Sequence, residues 1–116
     1  MLKFMKSIAA AVLCASCATI KGTPVLIETF HQPYDKLASC FYMRVREETG
    51  TGIKYEEMRA NRVVLVSAHG GEVAIWESWF IGIDANSSKV EIKAMPTIWG
   101  NDFHAQQLIP HVRSCA

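Results

Sequence analysis

The sequence has 116 residues, half of them hydrophobic, and its 12 Lys and Arg against 11 Asp and Glu give a formal net charge of +1. This length is enough for one small globular domain and leaves no room for a second. The near-neutral charge and the absence of a basic cluster argue against a nucleic-acid partner.

Residues 1–17 have the three-part form of a secretory signal. Lys3 and Lys6 precede an apolar run from Ile8 to Ala15, and small residues follow. The run is too short to span a bilayer. A buried N-terminal helix is the alternative, but the order of charge, apolar run and small residues favours export, with residues 1–16 as the signal peptide.

The end of this segment, LCASC at residues 13–17, resembles the lipobox of bacterial lipoproteins. In that family the cysteine becomes the first residue of the mature protein and is acylated. The family usually has Leu three positions before the cysteine, where this chain has Cys14, and ordinary cleavage after Ala18 is the alternative. The resemblance implies a lipid anchor at Cys17 carrying palmitate-type chains. With Ala18 after the cysteine, it also implies an outer-membrane location facing the periplasm.

Residues 17–32 are expected to form the lipidated N-terminus and a tether. Their short apolar segment, 25–27, is either an edge strand or a stretch packed across the sheet. A helix is predicted from about 33 to 48, since Pro33 suits a helix start, Asp35 favours the helix dipole, and apolar residues follow at helical spacing. Gly50 and its neighbours end it.

Residues 63–95 predict a three-stranded antiparallel meander, with turns at 69–71 and 86–88. Residues 53–58 alternate weakly and are read as a partly solvated edge. The middle strand is apolar on both parities, and Trp76 and Phe80 fall on the less aliphatic one. We expect these two side chains to line an open contact surface, with cover by the chain's own tether as the alternative.

A closing helix is predicted after Trp99, which lies in a loop, with Asp102 as its N-cap. Pro110 predicts a kink or two short helices meeting at Ile109. The resulting fold class is α+β: a small two-layer domain over residues 33–116, ordered helix, three- or four-stranded antiparallel meander, helix, with both helices on one face of the sheet.

Two cysteines remain once Cys14 is removed with the signal and Cys17 carries lipid. They are Cys40 in the first helix and Cys115 in the last. Because an exported pair is normally oxidised, we expect a disulfide bond between them, with two separate buried thiols as the alternative.

The search for chemistry finds no motif for a nucleophile, a phosphate cradle or a metal. His104 and His111 lie seven residues apart near Asp102, too far for one ion without further ligands. We therefore expect a non-enzymatic, membrane-anchored periplasmic module without a cofactor, binding an envelope protein or a copy of itself through Trp76, Phe80 and Trp99. The alternative is a small envelope hydrolase or metal-binding protein using Asp102 and the two histidines.

Overall fold

The computed structural model describes residues 20, 22–50 and 52–116 as a five-stranded antiparallel sheet covered on one face by two helices. The strands are β1 (Leu26–Phe30), β2 (Ile53–Met58), β3 (Val63–Gly70), β4 (Val73–Asp84) and β5 (Ser87–Ala94), and the helices are α1 (Tyr34–Thr49) and α2 (Phe103–Ser114). The spatial order of the strands is β1-β5-β4-β3-β2. The α+β class is therefore confirmed.

The number and order of the elements differ from the prediction of a helix followed by three or four strands. The apolar segment before α1 is the edge strand β1, which pairs with β5 from Leu26 opposite Ile92 to Phe30 opposite Ser88. The weakly alternating stretch before the meander is the opposite edge strand, β2, which pairs with β3. The sheet therefore has five strands, and the described chain enters it through a strand.

Helix α1 ends at Gly50, whose φ of 84° suits glycine and whose N–H donates to the carbonyl oxygen of Arg46 at 2.8 Å. Helix α2 runs as one element through Pro110, so the alternative of two short helices is wrong. A helical N–H at this position would donate to the carbonyl of Gln106. Both residues are exposed, so the missing bond falls on the solvent side of the helix.

One hydrophobic core fills the space between the helices and the sheet. Its residues come from both helices and from four strands: Phe30, Leu37, Ala38, Phe41, Val45, Val64, Val66, Trp76, Phe80, Val90, Ile92, Ala94, Ala105, Leu108, Ile109 and Val112. On β4 the even-numbered residues face this core. At Gly82 a Cβ atom would lie 2.9 Å from Cδ1 of Tyr34, so glycine is needed for α1 to begin this close to the sheet.

Candidate contact surfaces

Trp76 and Phe80 lie inside the core instead of on an open face. Their exposed fractions are 7% and 0%. The ring of Phe41 on α1 packs against both, with centroids 6.1 Å from Trp76 and 5.2 Å from Phe80. The expectation that these side chains line an open strip is therefore wrong, because the helices cover the parity of β4 that carries them.

The opposite parity of the sheet faces away from both described helices, and we call it the helix-free face. The strand registers place the following side chains on it: Ile27 and Thr29 of β1, Lys54, Glu56 and Met58 of β2, Val63, Leu65 and Ser67 of β3, Ile75, Glu77, Trp79 and Ile81 of β4, and Lys89, Glu91 and Lys93 of β5. Apolar side chains lie at its centre, and charged ones lie on β2 and β5. The helix side is apolar at its centre but also carries the buried hydroxyls of Ser78 and Ser88 and the carboxylate of Glu28.

Glu77 is the unusual residue of the helix-free face, since its carboxylate is buried and only 1% of the residue is exposed. One oxygen accepts the backbone N–H of Ile20 at 3.0 Å, and the other accepts the indole N–H of Trp79 at 3.1 Å. Burying a carboxylate is costly unless hydrogen bonds replace its water. Glu77 therefore fastens the segment that precedes β1 onto this face of the sheet.

Two lysines near Trp79, Lys89 and Lys93, have different neighbours. The amine of Lys93 lies 5.7 Å from the centroid of the Trp79 ring, within the range of a cation–π contact. Lys89 instead pairs with Glu91 at 2.9 Å. Lys93 stands opposite Glu77 in the register of β4 and β5, and no ion pair of Lys93 is observed among the described residues.

A second apolar surface lies at the turn between β5 and α2. Thr97 and Gly100 close the turn by two reciprocal backbone hydrogen bonds of 3.1 Å. The hydroxyl of Thr97 accepts the N–H of Trp99 at 3.0 Å. Ile98 and Trp99 occupy the tip with exposed fractions of 89% and 70%, and the Trp99 ring packs on Phe103 at a centroid distance of 5.0 Å. Trp99 is thus an exposed loop residue.

The predicted disulfide bond is confirmed. Cys40 of α1 and Cys115, just after α2, are bridged, with their Cα atoms 5.9 Å apart. Two side-chain contacts also hold α2: His111 Nε2 lies 3.2 Å from a carboxylate oxygen of Glu48, and Arg113 donates two hydrogen bonds to Glu28 of β1. The bonds from Arg113 to Glu28 raise the pKa of that guanidinium.

The residues of the alternative metal site are engaged elsewhere. His111 contacts Glu48, as above, and Asp102 accepts a hydrogen bond from the side-chain amide of Gln106 at 3.4 Å. The His104 ring packs at 5.5 Å from Phe103. Among the described residues, no group of three His, Cys, Asp or Glu side chains is arranged to hold a metal ion.

Two shallow depressions lie on the outer side of α1, with volumes of about 470 and 440 Å³. Both are lined by Met43, and the larger one reaches Tyr55 and Glu57 on β2. Burial of the Tyr55 ring, followed by the negative charge of Glu57, raises the pKa of its phenol. Neither depression contains a histidine or a catalytic grouping, so the contact surfaces remain the candidate sites.

Comparison with known proteins adds no relative: no protein-family model, no curated protein and no solved structure matches the chain. None of the helices in the described part of the chain has the length and apolarity needed to cross a membrane. Cys17 lies outside the described residues, so its lipidation stays a prediction.

Sequence reasoning missed three residues of these surfaces. Glu77, Trp79 and Ile98 were not singled out from the sequence. A signal for Glu77 was available, because a lone carboxylate in an apolar strand needs a partner. A signal for Ile98 was the pair of large apolar residues directly before the Gly-Asn of the loop, where turns favour small polar residues.

Proposed function

We propose that the protein is a non-enzymatic lipoprotein of the bacterial cell envelope, anchored by acyl chains on Cys17 and facing the periplasm from the outer membrane. Its folded domain acts as a binding or assembly module, and the helix-free face is its contact surface. The lipobox-like residues 13–17 support the location. The disulfide bond between Cys40 and Cys115 supports an oxidising compartment.

The single observation that carries the binding role is the composition of the helix-free face. Ile27 is 57% exposed there and Trp79 and Ile81 are half-buried, whereas Leu65, Ser67 and Glu77 are buried. Both described helices pack on the other side of the sheet. An aromatic anchor surrounded by aliphatic side chains and rimmed by charges is the usual composition of a protein-binding surface. A face with no partner would be expected to show cleaner polar alternation.

The charges on this face indicate the chemistry of the partner. Lys93 lies over Trp79 and, among the described residues, pairs with no carboxylate. A protein surface that places an apolar side chain against Trp79 and Ile81, with an acidic side chain next to it, would satisfy both features. No grouping among the described residues favours the hydrolase or metal-binding alternative, so we propose one function only.

A pair of substitutions on opposite sides of the domain tests this proposal. Ile27 on the helix-free face and Met43 on α1 are 57% and 51% exposed, so Glu at either position adds the same charge at similar exposure. The native protein, extracted from membranes in mild detergent, is analysed by sedimentation for a species larger than the monomer. Ile27→Glu should abolish that species, and Met43→Glu should leave it intact.

The outcomes separate binding from folding. Thermal unfolding of both variants should match the parent protein within about 2 °C, as expected for exposed positions. A native protein that sediments only as a monomer would refute the binding role. Equal behaviour of the two variants would refute the assignment of the binding surface to the helix-free face.

A further inference from the structure

The tip of the turn between β5 and α2 carries two large apolar side chains that the backbone does not require. Neither Ile98 nor Trp99 has a positive φ, and the strained position is taken by Gly100, with a φ of 124°. Turn tips favour Gly, Asn, Asp and Ser for conformational reasons. Exposed fractions of 89% and 70% mean that most of both side chains is free to contact something outside the domain.

The position of this turn in the fold points to its partner. The backbone N–H of Met95 donates to the carbonyl of Ile75, so the turn leaves the sheet at the end where β4 begins. Val73 and Met95 lie at this same end and are 58% and 41% exposed. The chain preceding β1 also enters at this end, since the N–H of Val25 donates to the carbonyl of Ile92 near the end of β5.

The proposed lipid anchor lies close to this end along the chain. Glu77 fastens Ile20 to the sheet, and Ile20 follows Cys17 by three positions, a span of at most about 11 Å. Glu77 is four residues from Val73, roughly 13 Å along the strand. A membrane that holds acyl chains on Cys17 is therefore within reach of the apolar end of the sheet.

We propose that the Ile98–Trp99 turn inserts into the lipid surface to which Cys17 anchors the protein, and so orients the domain on the membrane. This inference rests on the anchor of the proposed function and adds a second, non-covalent membrane contact. Tryptophan is favoured at the interface between lipid headgroups and acyl chains, where its ring is apolar and its N–H remains hydrated.

Apolar burial, not charge, drives this contact. Glu72 and Asp102 are the exposed charged residues next to the turns at this end, and no basic cluster lies in the described chain there. Binding should therefore occur on zwitterionic lipid and change little with salt. The helix-free face and this end of the sheet are different surfaces, so one membrane-oriented domain can use both.

Tryptophan fluorescence tests the proposal on the protein purified from membranes and reconstituted into zwitterionic vesicles whose acyl chains carry bromine. Brominated chains should quench a part of the emission that disappears in Trp99→Phe and persists in Trp76→Phe, which replaces a tryptophan buried in the core. Ile98→Glu should abolish the same part while the melting temperature stays unchanged. Quenching that is identical in Trp99→Phe would overturn the proposal. The proposal would also be overturned if Trp99 were shielded from aqueous acrylamide but not quenched by brominated lipid, because its partner would then be a protein.

Cys17→Ser and labelled palmitate distinguish failure of the insertion from failure of the anchor. Label on Cys17 without Trp99-dependent quenching would refute the insertion alone. If Cys17 takes up no label, the insertion is tested by mixing Cys17→Ser protein with brominated vesicles. Quenching that depends on Trp99 should then appear at a lipid concentration at least tenfold higher than an anchored protein would need. Absence of quenching at that concentration would refute the insertion as well.

Discussion

Removal of the disulfide bond should cost the domain a large part of its stability. The bridge spans a sequence separation of 75 residues. Closing a loop of that size lowers the chain entropy of the unfolded state and so raises the free energy of that state by about 4.5 kcal/mol. A domain of this size has a free energy of unfolding of about 5–15 kcal/mol. The pair Cys40→Ala and Cys115→Ala should therefore lower the melting temperature by roughly 20–35 °C, at about 4–8 °C per kcal/mol.

The side-chain contact between Glu48 and His111 also joins the two helices but is much weaker, which gives the experiment its control. The carboxylate of Glu48 that faces His111 is 65% exposed, and exposed ion pairs are worth about 0–1 kcal/mol. Glu48→Gln should thus shift the melting temperature by only a few degrees. Differential scanning calorimetry of the parent and both variants, with alkylation to count free thiols, measures the effects. A shift below about 5 °C for the double alanine variant would refute the argument from chain entropy.

Two further predictions follow from burial and from one hydrogen bond. Trp76→Ser should cost about 3–5 kcal/mol in urea unfolding, whereas Trp99→Ser should cost less than about 0.5 kcal/mol; equal losses would contradict the burial of Trp76. The N–H of Asn86 donates to Asp84 and lowers the pKa of that carboxyl below 3.8. The ionised Asp84 carboxylate therefore stabilises the fold above its pKa in the unfolded chain, and this stabilisation is lost as pH falls through its pKa in the folded protein. The difference in melting temperature between the parent and Asp84→Asn should consequently vanish in acid. A difference that stays constant with pH would count against this assignment.

Local signals predicted the local elements of the fold well. The apolar spacing between Tyr34 and Val45 and the glycine at position 50 place α1 within one residue of its observed ends. The turns at 69–71 and 86–88 bound the observed β4. These features depend on residues close in sequence, so a single sequence contains them.

The faces of β4 could not be assigned from that strand alone. Both of its parities are apolar, and Trp76 and Phe80, on the less aliphatic parity, were expected to line an open surface. The neighbouring strand contained the correct information, because β5 alternates cleanly and its core residue Val90 stands opposite Phe80. The register between β4 and β5 depends on the four-residue turn that joins them. The conformation of that turn had to be known before the alternation of β5 could assign the faces of β4.

Two long-range contacts could not be predicted for the same reason: the hydrogen bond from Ile20 to Glu77 and the pairing of β1 with β5. Each joins residues that are far apart in sequence, and no local pattern specifies which partner is chosen. The sequence indicated an apolar segment at 25–27 and a lone carboxylate at Glu77. It did not indicate that these two features place the start of the described chain on the sheet.

The place of β1 at the edge beside β5 determines the order in which the sheet can be completed. The strands β2 to β5 follow one another along the chain and each pairs with its successor, so they can form by short hairpin closures. β1 precedes the other strands in the chain, and we expect it to pair last, because its partner residues, from Ser88 to Ile92, lie at the far end of the meander. Non-local pairings of this kind form slowly. The unpaired edge of β5 is consequently the surface that a newly made chain is expected to leave open longest.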